Sequence, residues 1–186
     1  MIWTIVILAV LVLYIISVYN SLVVARQRVK EAWSTIDTQL KRRYDLIPNL
    51  LETVKGYMKH EKGTFLAVVE ARNSAMKASS TTQKGKAEEN LSGALKSLFA
   101  LSESYPDLKA NTNFLELQKD IKDTEDKIQA TRQFYNTVVL TLNTKIEMFP
   151  SNIFANLFHF QKAQFFEMDE AETKAAKKAP TIKFDE

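Results

Sequence analysis

Two histidines are the residues of this 186-residue chain whose types first suggest chemistry. His60 and Glu61 begin the zinc-protease pattern His-Glu-x-x-His, in which two His on one helix face bind the metal. The second His is missing, because Thr64 occupies its position. His159 stands among Phe residues, where a packing role is favoured over metal binding. The chain has no Cys, which excludes disulfides, thiolate metal sites and thiol nucleophiles.

A mixed run of acids and lysines lies between positions 119 and 127. The acids are Asp120, Asp123, Glu125 and Asp126, and the lysines are Lys119, Lys122 and Lys127. Charges of both signs at this spacing are typical of a solvated helix surface with weak ion pairs. The chain also has no Gly-rich phosphate loop and no G-x-S-x-G elbow. We therefore expect no enzyme activity, no metal and no cofactor.

The first 25 residues carry no charged side chain, since Arg26 is the first charged residue. At about 1.5 Å per residue, this run is long enough to cross a hydrocarbon core of about 30 Å. Trp3 and Tyr19 stand where aromatic side chains prefer the two membrane interfaces. The cations Arg26, Arg28 and Lys30 follow on one side only. The sequence thus predicts a transmembrane helix with the N-terminus outside and the rest of the chain in the cytoplasm.

A cleaved secretory signal is the alternative for this run, because Val23, Val24 and Ala25 could form a small-residue cleavage site. No basic segment precedes the apolar residues, however, and the apolar run is longer than a signal needs. A membrane anchor over residues 1–25 is therefore the favoured interpretation.

Apolar repeats of three and four residues run through most of the remaining chain, which has only four Gly and four Pro. This pattern predicts an all-α fold. One apolar seam continues from the membrane helix through Trp33 and Leu40 to Ile47. Pro48 then either bends that helix or begins another one, and the repeat resumes as far as Met76.

The polar residues 77–86, KASSTTQKGK, have no apolar anchor and are predicted to form a loop. A third helix follows and must end near Tyr105, because Pro106 comes next. Asn113 followed by Glu116 is close to a capping box, and the repeat after it predicts a helix of about 34 residues. Such lengths favour an elongated antiparallel bundle of long helices.

Six of the eleven Phe lie between positions 149 and 166, around a short predicted helix with Ser151 as its expected N-cap. The favoured interpretation is that this helix folds back and caps the bundle. The alternative is that its aromatic face contacts lipid or a neighbouring copy. The candidate contact residues are Phe154, Phe158, Phe160, Phe165 and Phe166. Residues 170–186 offer little to bury and are predicted to be a flexible tail.

The stretch LKRRYDLIPNLLETVKGY, which begins at Leu40, is either a binding site or a charged helix face. On an unbroken helix, Arg42 lies about 25 Å beyond the membrane exit, roughly three Debye lengths at physiological salt. An upright helix could not hold these cations against anionic headgroups at that distance. Arg42 and Asp45 are spaced to pair locally. The favoured interpretation is a charged face on which Arg43 lays its stem along the seam, with a partner-binding surface as the alternative.

Four long stretches closely resemble the LemA family of small bacterial membrane proteins. They are AWSTIDTQLKRRYDLIPNLLETVKGYMKHE (32–61), VVEARNSA (68–75), LSGALKSLFALSESYPDLKAN (91–111) and TRQFYNTVVLTLNTKIEMFPSNIFA (131–155). The resemblance implies a single N-terminal anchor, a soluble bundle of long helices and no established biochemical activity. We therefore expect an anchor over 1–25, a helical bundle over 26–169 and a flexible tail over 170–186, at the bacterial inner membrane.

Three short motifs, RRYDLIPNL, YPDLKAN and FPSNI, look like the signature of that family. Carried over to this chain, they point to Arg42, Arg43, Tyr44, Asp45, Pro48 and Asn49, to Tyr105, Pro106, Asp107 and Lys109, and to Phe149, Pro150, Ser151 and Asn152. All three motifs lie at element boundaries, where Pro, Asp and Asn serve kinks and caps, so a structural role explains them without a ligand. The ending PTIKFDE is similar to a family ending but departs from it at Ile182 and at the last two acids.

The leading functional hypothesis is a non-enzymatic membrane-anchored scaffold whose bundle assembles with itself, with the lipid bilayer and a second copy as partners. A second hypothesis is an adaptor or sensor that regulates a membrane protease or envelope-stress pathway through residues 42–45, with a membrane protein as partner. A third, a hydrolase or lipid-modifying enzyme, would use His60 and Glu61. A net charge of +3 is too slight to predict nucleic-acid binding.

Overall fold

Six helices and no strand make up residues 2–166, the part of the chain that this computed structural model describes. They are α1 (Ile2–Lys55), α2 (Lys62–Lys77), α3 (Thr81–Ser102), α4 (Pro106–Lys109), α5 (Thr112–Glu147) and α6 (Ser151–Leu157). The predicted all-α fold is thereby confirmed. The predicted tail, with its PTIKFDE ending, lies outside the described residues.

Helix α1 runs through Pro48 and ends at Lys55, so Pro48 does not begin a new helix. A proline has no N–H, and the carbonyl four residues before it, that of Tyr44, therefore loses its helical partner. The Nε of Arg72, on α2, donates to this carbonyl at 2.8 Å. The hydrogen bond from α2 replaces the one that Pro48 removes and allows the helix to continue.

The loop predicted over 77–86 is much shorter, since only residues 78–80 separate α2 from α3. Ser80 is the N-cap of α3, and its hydroxyl accepts a backbone N–H bond at 3.2 Å. Lys84, predicted to lie in the loop, is buried with its ammonium 6.0 Å from the centre of the Tyr44 ring. Hydropathy misses this position because a lysine can cover an aromatic ring with its stem.

Helix α5 confirms the predicted long helix, but its start differs from the prediction. The side chain of Asn111 accepts a hydrogen bond from the N–H of Phe114 at 3.0 Å, which makes Asn111 the N-cap. Asn113 lies inside the first turn, so its prediction as the N-cap was wrong by two residues. One face of α5 is buried at spacings of three, four and seven residues, as expected for an amphipathic helix: Phe114, Ile121, Thr124, Ile128, Tyr135, Val139, Leu142 and Ile146.

The described residues form two compact units, of which unit 1 contains residues 2–43 and 121–165. Three contacts join α1 to α5 in this unit: Ser21 to Lys145, Trp33 to Tyr135 and Arg43 to Glu125. Because the α5 numbers fall as the α1 numbers rise, the two helices run antiparallel in unit 1. Ile36 and Leu40 are fully buried, and Ile128 is nearly so.

Unit 2 contains residues 44–120 and Phe166. The C-terminal part of α1, the hairpin of α2 and α3, the short helix α4 and the first residues of α5 form this unit. Its apolar core comprises Ile47, Leu50, Val54, Met58, Val68, Leu91, Leu95, Leu98, Leu108 and Phe114. Burial of each large side chain contributes about 1.5–3 kcal/mol, so this core is what holds the short helices in place.

Candidate functional site

The N-terminal part of α1 exposes its apolar side chains, among them Trp3, Ile5 and Val10. Within the described part of the chain, α1 is the one helix that is long and apolar enough to cross a membrane. Such exposure is unfavourable in water by about 25 cal/mol for each Å² of apolar surface. The apolar segment of α1 therefore indicates a membrane anchor. The boundary at residue 25 and the orientation across the membrane stay predictions.

Two of the five predicted membrane-interface residues contact the Phe-rich segment. The ring centre of Tyr19 lies 5.0 Å from that of Phe158 and 5.9 Å from that of Phe160, both edge-on. The guanidinium of Arg26 lies 5.1 Å from the centre of the Phe160 ring, within cation–π distance. The other three, Trp3, Arg28 and Lys30, are exposed.

Helix α6 folds back, as predicted, but it lies along the side of α1, where the rings of Phe154 and Tyr14 are 6.2 Å apart. Phe160 and Phe166 are 9% and 0% exposed. These two rings belong to the core, which corrects their assignment to a lipid or oligomer contact. Phe154 and Phe158 are partly covered by α1, and Phe165 is 38% exposed, so for these three the prediction stands untested.

Ser151 does not cap α6, as the sequence predicted, because its side chain makes no capping bond there. Its hydroxyl instead lies 2.6 Å from the carbonyl oxygen of Lys145 and 2.8 Å from that of Met148. The end of a helix leaves its last carbonyls without partners. Ser151 satisfies those of α5 and thereby fixes the turn between α5 and α6.

The other residues of the FPSNI motif are placed around this turn. Phe149 is 76% exposed, and Pro150 occupies the position before the first residue of α6. The Phe149–Pro150 peptide bond is cis. The Oδ1 of Asn152 is buried and has no hydrogen-bond partner among the described residues.

Side chains of α5 hold the segment after α6, a feature that the sequence did not reveal. Asn143 donates to the carbonyl of Ala163 at 3.0 Å and accepts from its N–H at 2.9 Å. The Tyr135 hydroxyl donates to the carbonyl of Gln164 at 2.9 Å. A side-chain amide can replace a strand partner in this way, because it offers one donor and one acceptor side by side.

Arg43 is buried in unit 1, with 1% of its side chain exposed, and forms an ion pair with Glu125 of α5. The predicted course of its stem along the apolar seam agrees with this burial. The acid run around Glu125 was predicted to be a solvated surface, and its pairing with Arg43 was missed because the two residues are 82 positions apart. Arg42 is exposed.

Tyr44 is held at three points in unit 2. Its hydroxyl donates to the Glu88 carboxylate, its carbonyl accepts from Arg72, and Lys84 lies over its ring. Tyr44 and Glu88 are 6% and 3% exposed. We call these four residues the Tyr44 network. The signal that could have found part of it is Arg72, a cation on an otherwise apolar seam of α2.

Three further residues of the RRYDLIPNL motif face solvent, whereas Ile47 and Leu50 are fully buried. Asp45, Pro48 and Asn49 are exposed on α1. The motif therefore divides into a buried part, which holds the fold, and an exposed part, for which the structure shows no fold-supporting role.

The YPDLKAN motif surrounds the short helix α4 in unit 2. The Tyr105 hydroxyl donates to Glu61 Oε1 at 3.0 Å, and Lys109 pairs with Glu103. Pro106 is the first residue of α4, where a proline costs no hydrogen bond, and Asp107 is in its first turn. The hydrogen bond to Glu61 raises the pKa of Tyr105 above its usual value, and partial burial and the Glu61 charge act in the same direction.

Comparison with known proteins decides the family. The LemA family model matches residues 32–184, which is most of the chain. This chain belongs to the LemA family. Protein LemA of Metamycoplasma hominis is 28% identical over 157 residues, which cover 82% of this chain and 70% of that protein.

This chain is also similar to magnetosome proteins, at lower identity. Magnetosome protein MamQ 2 of Paramagnetospirillum magneticum is 22% identical over 175 residues. Magnetosome protein MamQ of Magnetospirillum gryphiswaldense is 21% identical over 174 residues. In both cases the alignment covers 80% of this chain but only 64% of the relative. These likenesses agree with a membrane-associated helical protein.

The residues that the sequence analysis considered for catalysis, His60, Glu61 and His159, do not form one site in the described part of this LemA family member. His60 and His159 are both exposed, and His159 lies two residues after the end of α6 with a left-handed backbone (φ 54°), so the predicted packing role of His159 was wrong. Glu61 is engaged with Tyr105. Within residues 2–166, no group of three or more His, Asp or Glu side chains is placed to hold a metal ion.

Proposed function

We propose that this LemA family protein is a non-enzymatic, membrane-anchored scaffold that assembles with itself at the bacterial inner membrane, with its N-terminus outside and its helical body in the cytoplasm. The observation that carries the proposal is the continuity of α1, which extends from Ile2 to Lys55 without a break. The apolar anchor segment and the helix that packs in both units are thus one element. A load on the body is transmitted directly to the membrane segment, as a scaffold requires.

The dispersal of the titratable residues supports the non-enzymatic part of the proposal. Catalysis needs groups that converge on one reacting atom. The side chain of Glu61 contacts Tyr105, while His60 next to it is exposed. Buried acids such as Glu88 are used to bind neighbouring side chains of the fold.

An exposed apolar stripe on α2 supports self-assembly. Leu66, Val69 and Met76 are 59%, 37% and 49% exposed, and their spacing of three and seven residues places them on one helix face. Lys62 and Lys77 flank the stripe at the two ends of α2, and Glu70 lies next to it, so water reaches this face. A contact between copies would remove the stripe from water.

The test is the mass of the full-length protein in a mild detergent, measured by light scattering. We expect a closed oligomer for the unmodified chain and a smaller particle when Leu66 and Val69 are both replaced by Glu, because like charges would be buried in the contact. The matched control places two Glu on exposed positions of α3, N90E with S97E, and should keep the mass. A monomer for the unmodified chain at all practical concentrations would contradict self-assembly.

A second candidate, an adaptor or sensor that acts on a membrane protein, is favoured by one observation: Asp45, Pro48 and Asn49 belong to a family-like motif yet are exposed. Photo-crosslinking residues placed at Asp45 and Asn49 in cells would test it. A single crosslinked membrane protein, absent when the crosslinker is at the exposed Lys96, would support the adaptor. Crosslinks only to a second copy of this chain would favour the scaffold.

A further inference from the structure

We propose that residues 148–158 are a second membrane-inserted element, which lies in one leaflet beside α1 and contacts lipid acyl chains. Its lipid-facing side chains are Met148, Phe149, Ile153 and Leu157, which we call the α6 apolar surface. The inference rests on the proposed membrane anchorage of α1. It differs from the predicted aromatic contact, because most of the Phe side chains of this segment face α1 or the core.

The first observation is the distribution of charge around α6. No Asp, Glu, Lys or Arg occurs between Glu147 and Lys162, a run as free of charge as the anchor segment of α1. Glu147 and Lys162 pair with each other across the base of this run. The uncharged run therefore begins and ends at two charged residues that lie side by side.

The second observation relates the charged residues near α6 to positions on α1. The Nζ of Lys145 donates to Ser21 Oγ at 2.6 Å, and Arg26, the first charged residue of α1, contacts the ring of Phe160. Lys145 of α5 thus lies at the level of Ser21, five residues before Arg26 on α1, and Glu147, which pairs with Lys162, is two residues farther along α5. A lysine that reaches along its stem to a hydroxyl at such a boundary behaves as lysines do at a membrane surface.

The third observation places α6 on the apolar side of that level. Phe154 contacts Tyr14, which lies seven residues before Ser21 on α1, or about 10 Å along the helix. Side chains on a helix point toward its N-terminus, so the Tyr14 ring lies farther still from the charges. Helix α6 therefore occupies the same depth as a segment that spans the membrane.

The fourth observation is the exposure of the α6 apolar surface. Met148, Phe149, Ile153 and Leu157 are 53%, 76%, 54% and 65% exposed. Ile153 and Leu157 are one helical turn apart and share a face. Because α6 contacts the apolar segment of α1 through Phe154 and Phe158, we assign the same solvent to both elements. An element of this kind adds area to one leaflet only, and its insertion is sensitive to membrane curvature.

Single-cysteine labelling tests the depth of α6, since the chain has no Cys of its own. A fluorophore is attached in turn at Val10, Ile153, Leu157 and Leu115, which are between 46% and 65% exposed. Full-length labelled protein is placed in vesicles of phosphatidylethanolamine and phosphatidylglycerol. Quenching is measured with nitroxide on the lipid acyl chains and, separately, with iodide in the water.

We expect the labels at Ile153 and Leu157 to match the label at Val10, with strong quenching by lipid nitroxide and little by iodide, while Leu115 shows the reverse. Labels at Ile153 and Leu157 that behave like Leu115 while Val10 is in lipid would overturn the α6 proposal alone. If neither lipid nitroxide nor iodide quenches the labels at Ile153 and Leu157, the α6 apolar surface contacts a second copy of the chain. That result would also overturn the α6 proposal. A Val10 label in water would overturn the anchorage and, with it, the inference.

Discussion

The two units of this protein differ most in how many large apolar side chains they expose. Unit 2 buries charged and polar groups, as in the Tyr44 network, where Glu88 is 3% exposed. Unit 1 exposes large apolar groups, such as Trp3 at 79% and Phe149 at 76%. A buried carboxylate is tolerated when it is paired, and a large contiguous apolar surface is rarely left exposed to water. The extended apolar surface of unit 1 therefore favours contact with lipid, whereas unit 2 uses paired polar groups inside its core.

Helix α1 takes part in both kinds of packing. Its N-terminal segment exposes large apolar side chains, and its last turns contribute Ile47, Leu50 and Val54 to the core of unit 2. Four measurements test which contacts hold each unit together.

Loss of the Glu88 carboxylate should have the largest effect. Glu88→Ala removes the acceptor of the buried Tyr44 hydroxyl, and we expect it to lower the free energy of unfolding by about 3 kcal/mol. Glu88→Gln keeps an acceptor and should lose less. The measurement is denaturant unfolding of the detergent-solubilised protein, followed by circular dichroism.

The control is Glu89→Ala, an exposed neighbour on α3 that should change stability by less than about 0.5 kcal/mol. Equal effects of the two substitutions would show that the Tyr44 network does not hold unit 2 together.

Arg72 and Pro48 should be energetically coupled through the carbonyl of Tyr44. Arg72→Leu leaves this carbonyl without the Arg72 donor and should cost about 1–2 kcal/mol. In a Pro48→Ala background, the restored N–H of residue 48 can take the carbonyl, so Arg72→Leu should cost about 1 kcal/mol less. Unfolding free energies of the four proteins in this cycle give the coupling. Strict additivity would contradict the compensation of Pro48 by Arg72.

Asn143 should hold one segment of unit 1 rather than the whole unit. Asn143→Ala removes both hydrogen bonds to Ala163, and we expect about 1 kcal/mol of lost protection, seen as faster exchange of amide hydrogens over residues 160–166. The exchange of α5 itself should hardly change. Asn156→Ala, an exposed site on α6, is the control and should leave the segment protected. Unchanged exchange in N143A would show that other contacts hold the segment.

Titration of Tyr105 is the smallest expected effect. Its pKa in the folded protein lies above the unfolded value, because the Glu61 hydrogen bond favours the neutral phenol. The contact therefore stabilises unit 2 below the unfolded pKa, near 10, and is lost as the pH rises through the folded pKa. The phenolate absorbance difference between the unmodified protein and Y105F gives this titration. Glu61→Gln removes the charge and should bring the Tyr105 pKa closer to its ordinary value; an unchanged pKa would exclude Glu61 as the cause.

The sequence predicted those parts of the fold that depend on neighbours along the chain. The long α5 and the apolar segment of α1 follow from the spacing of apolar side chains, which is a local property. The loop over 77–86 was wrong because Lys84 is polar in sequence yet covers a ring from another helix. The role of Ser151 was wrong because its hydroxyl bonds backward to α5 rather than forward to α6.

The candidate sites were less predictable than the helices. The family-like motif identified Tyr44 and Pro48, but not that Arg72 would occupy the carbonyl that Pro48 leaves free. Arg43 was placed on the seam, but its partner Glu125 was read as part of a solvated surface. Each of these contacts joins residues that are far apart in the chain, and helical periodicity carries no information about which helices become neighbours.

By itself, the sequence determined that the chain is helical, that its first 25 residues are apolar enough to cross a membrane, and that it belongs with the LemA family. Only the tertiary structure decided that α6 lies beside Tyr14 of the anchor segment and that Lys145 of α5 lies at the level of Ser21. The physical reason is that hydropathy reports the solvent a side chain prefers, whereas the position of α6 beside α1 depends on the antiparallel packing of α1 and α5, which brings residues 21 and 145 together.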